Sequence, residues 1–241
     1  MPAEATVTGR PSLRRRPPFG ASLVAVPVRT RLVQRGEDLA AVVADAIAGI
    51  VAPGDVVCVS ETAVAIAQGR LIAAATIRPS RLACVLSRHA GVMATVSQPE
   101  SLQLVIDAVG PWRVFFAALA NAGGRLVRQR GLFYRMLGEA IATIDGYTGT
   151  LPPFEATIVL GPENPAGVAG EIASRTGAHA AVVDVNDLGI AKVLGGSPGI
   201  AAAAVEDALR GNPHGNGDEQ TPIVVLKWRA AGASPLLERA A

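Results

Sequence analysis

Along residues 37–50, EDLAAVVADAIAGI, apolar side chains recur at Leu39, Val42, Val43, Ile47 and Ile50. That spacing predicts an amphipathic helix. APGD then makes a turn, and DVVCVS at 55–60 is a short continuous apolar run, which reads as a buried strand. Ser80 is placed to cap a helix reaching about Arg88. A second helix starts near Ser97–Pro99 and runs towards Val109, and Pro111 with Gly123-Gly124 brackets a third around VFFAALANA. In that third helix the Phe115-Phe116 pair reads as core or subunit interface rather than as a ligand site.

The second half alternates more regularly. EAIATID is a strand candidate followed by a GYTGTLPP loop, and ATIVLG is a strand. NPAGVAGEIASRTG is a helix closed by Gly177, AHAAVVDV is a strand, GIAAAAVEDALRG is a helix and PIVVLKW is the last strand. Such alternation predicts an α/β fold of mixed α+β type, a sheet covered by helices. The expected layout is two closely associated lobes within residues 21–230, dividing near 120–140. A solvated, basic and proline-rich tail over 1–20 and a flexible tail over 231–241 are expected to flank them.

Composition narrows the function classes. Half of the 241 residues are apolar and 17% are charged, the signature of a compact globular chain. A net charge of +2 gives no electrostatic footprint for nucleic acid, and Arg14–Arg16 reads as part of the tail. The stretch 102–120 is broken by Asp107, Gly110, Pro111 and Arg113, so no membrane span is expected and the protein reads as soluble and cytoplasmic. Cys58 and Cys84 lie in apolar runs and read as reduced, buried thiols. Only Lys192 and Lys227 are lysines, so a phosphate-binding lysine has two candidates.

Three strands end in, or begin from, polar clusters. Asp145 leaves AIATID; Asp184 in VVDVNDLG is followed by Asn186 and Asp187; and PIVVLKW is preceded by NPHGNGDEQT, with Asn216, Asp218, Glu219 and Gln220. Ligands in α/β folds collect where strand ends project loops around one crevice. Oxygen donors of this kind suit Mg²⁺ or Mn²⁺, although an aspartate at a strand end also serves as a helix cap or turn residue. No GxxxxGK[ST] loop occurs, no GxGxxG follows a strand, and no serine stands in a nucleophile elbow. A nucleotide site here rests on backbone amides, metal and arginine.

From about Val26 to Trp228 the chain resembles the coenzyme F-420 gamma-glutamyl ligases. The resemblance runs through VPVRTRLVQRGEDLA, PGDVVCVSETAVAIAQGR, IRPSRLA, IATID, VVDVND and GNGDEQTPIVVL, in family order; GLFYR, DVNDLG and NPHGNGDEQTP are similar to a shorter branch. It implies a mixed α/β homodimer with the site near the subunit interface. The implied activity is a GTP- and divalent-metal-dependent amide ligase that joins L-glutamate to a deazaflavin-type carboxylate acceptor. By the same resemblance, Asp145, Asp184 and Asn216 hold Mg²⁺ or Mn²⁺. Gly215, Asn216, Gly217, Asp218, Glu219, Gln220 and Thr221 form the nucleotide-facing loop, and Val26, Pro27, Val28, Arg29, Glu61 and Thr62 add nucleotide contacts. Thr148, Asn186 and Asp187 are candidate substrate contacts.

Ile66 stands where the family usually has a lysine, Thr148 where it has an asparagine, and Val185 where it has a hydroxyl residue. Arg29, Arg70 and Arg135 are candidates to replace the lysine on phosphate, Arg70 first, and Arg70 joins Asp145 and Asp184 as the expected catalytic set. Two other readings stay open: the same machinery with a different carboxylate acceptor, and a nucleotide- or metal-binding protein without catalysis.

Overall fold

The computed structural model describes residues 22–90, 95–126, 132–138, 144–145, 153–154, 157–215 and 219–229. Its larger sheet has the strand order β1-β8-β2-β6-β7, formed by β1 (Ser22–Val28), β8 (Ile223–Arg229), β2 (Val56–Ser60), β6 (His179–Val185) and β7 (Ala191–Gly196). β2 and β6 are parallel, whereas β8 runs antiparallel to both β1 and β2, and β7 antiparallel to β6. The C-terminal ends of β1, β2 and β6 therefore share one sheet edge with the beginnings of β7 and β8.

The apolar runs follow from burial on both faces. Val57, Val59, Ala180, Val182, Ile223 and Val225 pack towards α1 (Leu39–Ala46), α2 (Glu61–Ala67) and α7 (Pro165–Thr176). The alternating set Val56, Cys58, Ala181, Val183, Val224 and Leu226 packs with Val205 and Leu209 of α8 (Ala202–Leu209). With a side-chain period of two, a central strand covered on both sides must be apolar throughout.

The chain leaves this sheet after Arg70 and returns at Gly161. Between these points β3 (Leu71–Ala73), β5 (Thr157–Leu160) and β4 (Ile144–Asp145) make a second sheet of order β3-β5-β4. A separate core packs on it from α3 (Arg81–Ser87), α4 (Pro99–Val109), α5 (Pro111–Leu126) and α6 (Leu132–Leu137). The stretch 120–140 thus lies inside the second grouping, and the two cores exchange chain near Arg70 and Leu160. Of the expected strand EAIATID, Ile144–Asp145 is described as strand and the rest lies outside the described residues.

Caps end the helices where the side chains dictate. Asp38 accepts from the Ala41 amide and Ser80 from the Ala83 amide. Gly177, at φ +70°, closes α7 by donating its N–H to the Ala173 carbonyl. Among the described residues no single helix is long and apolar enough to cross a membrane. Phe115 and Phe116 are exposed on the outer face of α5, so neither belongs to the core of this chain.

Candidate functional site at the strand-end edge

Four separate stretches of chain meet at the shared edge of the larger sheet. The Thr30 amide, just past β1, donates to the Gln220 carbonyl at 3.0 Å, and the Ser60 amide at the end of β2 donates to the Pro222 carbonyl at 2.9 Å. Ser60 also starts α2, its hydroxyl accepting from the Ala63 amide at 3.3 Å, which sets Glu61 and Thr62 at this edge. Because Ser60 is in register with Val183, Asp184 follows on the neighbouring strand. Asp184 lies two residues beyond Val182, on the sheet face covered by α2 and α7.

The stretch before β8 is wired into the same edge. His214 and Thr221 close it from both sides: the Thr221 hydroxyl donates to the His214 carbonyl, and His214 Nδ1 meets the Thr221 carbonyl at 3.0 Å. A carbonyl only accepts, so Nδ1 carries the hydrogen. Upstream, the Asn212 amide group donates to the Asp187 carboxylate at 2.5 Å, joining this stem to the β6–β7 turn. Gly215 sits at φ +72°, and a Cβ there would lie 2.6 Å from the Glu219 carboxyl carbon. Only glycine accommodates both the backbone shape and the packed carboxylate.

A family model for F420-0:Gamma-glutamyl ligase matches residues 27–208. The chain belongs to this family. Membership places it among ligases of coenzyme F-420 biosynthesis. No individually curated protein matches the chain. The matched segment stops at Ala208, so the stretch from Asn212 to Pro222 lies beyond it.

Of the residues that the ligase resemblance singled out, Val26, Pro27, Val28, Arg29, Glu61, Thr62, Asp184, Asn186, Asp187, Gly215, Glu219, Gln220 and Thr221 are gathered along this edge. Val28 is buried in the core, whereas Pro27 and Arg29 are exposed at the end of β1. The Asn186 side-chain oxygen accepts from the Leu188 and Ile190 amides at 3.0 and 3.3 Å, so it shapes the β6–β7 turn. Asn216, Gly217, Asp218 and Thr148 lie outside the described residues.

Asp145 and Arg70 belong to the other grouping. The Asp145 backbone pairs with Val159 in the second sheet, and its side chain lies outside the described residues. Arg70 Nε donates to the Gly161 carbonyl at 2.5 Å and one terminal nitrogen pairs with the Glu163 carboxylate. Gln68 and Glu163 exchange two further hydrogen bonds of 2.8 Å. Arg70 therefore straps the end of α2 to the turn where the chain returns to the larger sheet. It also lines a cleft of about 490 Å³ with Leu71, Ile72 and Leu160. This cleft is at the far end of α2 from Ser60, roughly 10 Å along the axis of a seven-residue helix. Ile66 is buried in the apolar core.

Electrostatics single out Asp184. Burial pushes its carboxyl above the ordinary aspartate range, and the Lys192 ammonium partly opposes that shift. The two are directly opposed across β6–β7 but do not close into an ion pair. A half-buried carboxylate without a contacting cation is an oxygen donor suited to a hard divalent ion. Among the described residues no group of three or more His, Cys, Asp and Glu side chains is set to hold a metal. Asp184 is the member of the expected ligand set whose side chain is described.

Three features at this edge carried no distinctive signal in the sequence. His214 stands in no recognised motif, the Asn212–Asp187 bond spans 25 residues, and the pairing of Lys192 with Asp184 exists only once β7 has formed. The NPHG string before a glycine-rich loop is the one local hint of the first.

Proposed function

We propose that the chain is a GTP- and divalent-metal-dependent gamma-glutamyl ligase that joins L-glutamate to a deazaflavin-type coenzyme F-420 precursor. The observation that carries this reading is the meeting of four sequence-distant segments at one sheet edge, held by the Thr30–Gln220, Ser60–Pro222 and Asn212–Asp187 bonds. Family membership supplies the reaction class.

A carboxylate acylates poorly because its oxygen is a bad leaving group. Phosphoryl transfer from GTP makes an acyl phosphate, and the glutamate amine then displaces phosphate to form the amide. Asp184 and Asn216 would hold Mg²⁺ or Mn²⁺ at this edge, which when bound would neutralise triphosphate charge, and Asp145 would have to join them from the second sheet. The backbone of Gly215 and Glu219–Thr221 lines the approach to the phosphates, and glycine there permits close contact. Arg29, exposed at the end of β1, contributes positive charge. Asp187 fixes the loop stem through Asn212, so its part is to orient rather than to ligate. Arg70 acts by holding the α2 end and the 161–163 turn together, with its remaining nitrogen free of the bonds named above.

The outer face of α5 is the proposed homodimer contact. Trp112, Phe115, Phe116 and Leu119 are exposed there, Trp112 at 72% and Phe116 at 55%, with the three rings packed on one another. Four large apolar side chains on one helix face make an interaction surface. A cytoplasmic site of action fits the small-molecule substrates and the two free thiols.

Mass spectrometry of the product tests the reading. With GTP, Mn²⁺, glutamate and a phospholactyl-deazaflavin acceptor, one or more glutamyl additions are expected, with GDP and phosphate released in step. GTP hydrolysis that ignores both acceptor and glutamate would sink it. A second reading, the same machinery with another carboxylate acceptor, is favoured by the Thr148 and Val185 departures; product formation with an alternative acceptor alone would establish it.

A further inference from the structure

We propose that Lys192 is a phosphate-contacting residue of this ligase site, its ammonium meeting phosphate oxygens that the bound guanine nucleotide keeps in both its triphosphate and diphosphate forms; this rests on the ligase reading above. On β7, Lys192 is directly opposed to Asp184. Directly opposed residues in an antiparallel pair project from the same sheet face, with their Cβ atoms about 5 Å apart. That face carries Val182 of β6 and Leu194 of β7, both packed with the α2 and α7 core. Lys192 therefore stands on the side, and at the end, of the sheet where Asp184, Glu61 and Thr221 collect.

Its ammonium is close enough to act on Asp184 but is held in no ion pair among the described residues. Arg31, Arg70, Arg175 and Arg210 each pair with a described carboxylate, and the other lysine, Lys227, sits 3.7 Å from Asp55 near the opposite end of the sheet. Lys192 is exposed and pairs with no described carboxylate. A triphosphate brings several negative charges to a site whose described side chains include the acidic Glu61, Asp184, Asp187 and Glu219. Metal ions offset part of this, and a flexible ammonium beside the carboxylate offsets more without demanding the planar geometry of arginine. A divalent ion held by Asp184 would offset that carboxylate and leave the ammonium available to the phosphates.

The test uses the full chain with Lys192→Met, Lys192→Arg and Lys192→Gln. The KM values for GTP and for glutamate are measured, together with binding of GDP with Mn²⁺ by calorimetry and the melting temperature. Lys192→Met is expected to raise the GTP KM and weaken GDP binding about tenfold, the size of one lost charge-assisted bond. The glutamate KM and melting temperature should hold, Lys192→Arg should recover most of the loss, and Lys192→Gln should not. A GTP KM within twofold of wild type in Lys192→Met overturns the proposal while leaving the ligase reading intact. So does recovery by glutamine equal to that by arginine. Wild-type protein that neither binds GDP with Mn²⁺ nor turns over GTP sinks both.

Discussion

Replacing Gly215 with alanine perturbs the loop before β8 at one defined point. Two costs can be read from the structure. The backbone sits at φ +72°, where an L side chain loses about 1–2 kcal/mol. The new Cβ would also stand 2.6 Å from the Glu219 carboxyl carbon and 2.7 and 2.9 Å from its oxygens, so that side chain must move. Taking about 1.5 kcal/mol as the penalty on the ligand-ready loop, its population falls roughly tenfold, and apparent nucleotide affinity falls with it. Global stability suffers less, because the strain is released by local rearrangement, so melting should drop by no more than about 4 °C. Calorimetric titration of GDP with Mn²⁺ reads the affinity directly. Adding Glu219→Gly to Gly215→Ala removes the collision but not the backbone penalty, so the double variant should recover only part of the loss. Unchanged GDP affinity in Gly215→Ala would refute the placement of this loop against the nucleotide.

Three further outcomes follow from packing and charge. Ile172→Ala empties a fully buried position between α7 and the sheet and should cost about 2–5 kcal/mol, measured by urea unfolding. His214 is buried, which lowers its pKa below the ordinary imidazole value, so the unfolded chain takes up its proton first as pH falls. Its contribution is therefore complete above about pH 6.5 and is lost through the acid side of that value; the melting temperature of the wild type should fall from pH 7.5 to pH 5, and His214→Gln should flatten that dependence. Phe116→Asp on the exposed α5 face should halve the particle mass in light scattering without changing the far-ultraviolet circular dichroism.

What the chain disclosed in advance depended on how local the cause was. The strands at 55–60 and 178–185 showed as unbroken apolar runs because both of their faces are covered, and Ser80 and Gly177 announced helix ends by their own chemistry. α2 was hidden by the same rule that revealed β2: Ala63 to Ala67 are all buried, so no polar face marks a helical period. β7 ends in Gly195 and Gly196, which weaken a strand pattern because they offer no side chain to pack. They are glycines because a Cβ at Gly195 would strike the first turn of α7, and one at Gly196 would strike Ile200. The strand-end aspartates were visible as a pattern, whereas the bonds that unite their loops join residues far apart in sequence. Arg70 shows the limit most plainly. Its charge suggested phosphate, but only folding brings Gly161 and Glu163 within its reach.

The central claim is that the edge formed by the ends of β1, β2 and β6 and the loop before β8 holds the nucleotide and its metal. A crystal structure with GDP and Mn²⁺, using the anomalous signal of manganese, tests it most directly. The account predicts manganese beside the Asp184 carboxylate, with the phosphates lying along Gly215–Thr221. Manganese and GDP bound instead in the Arg70 cleft at the other end of α2, with Asp184 untouched, would contradict it.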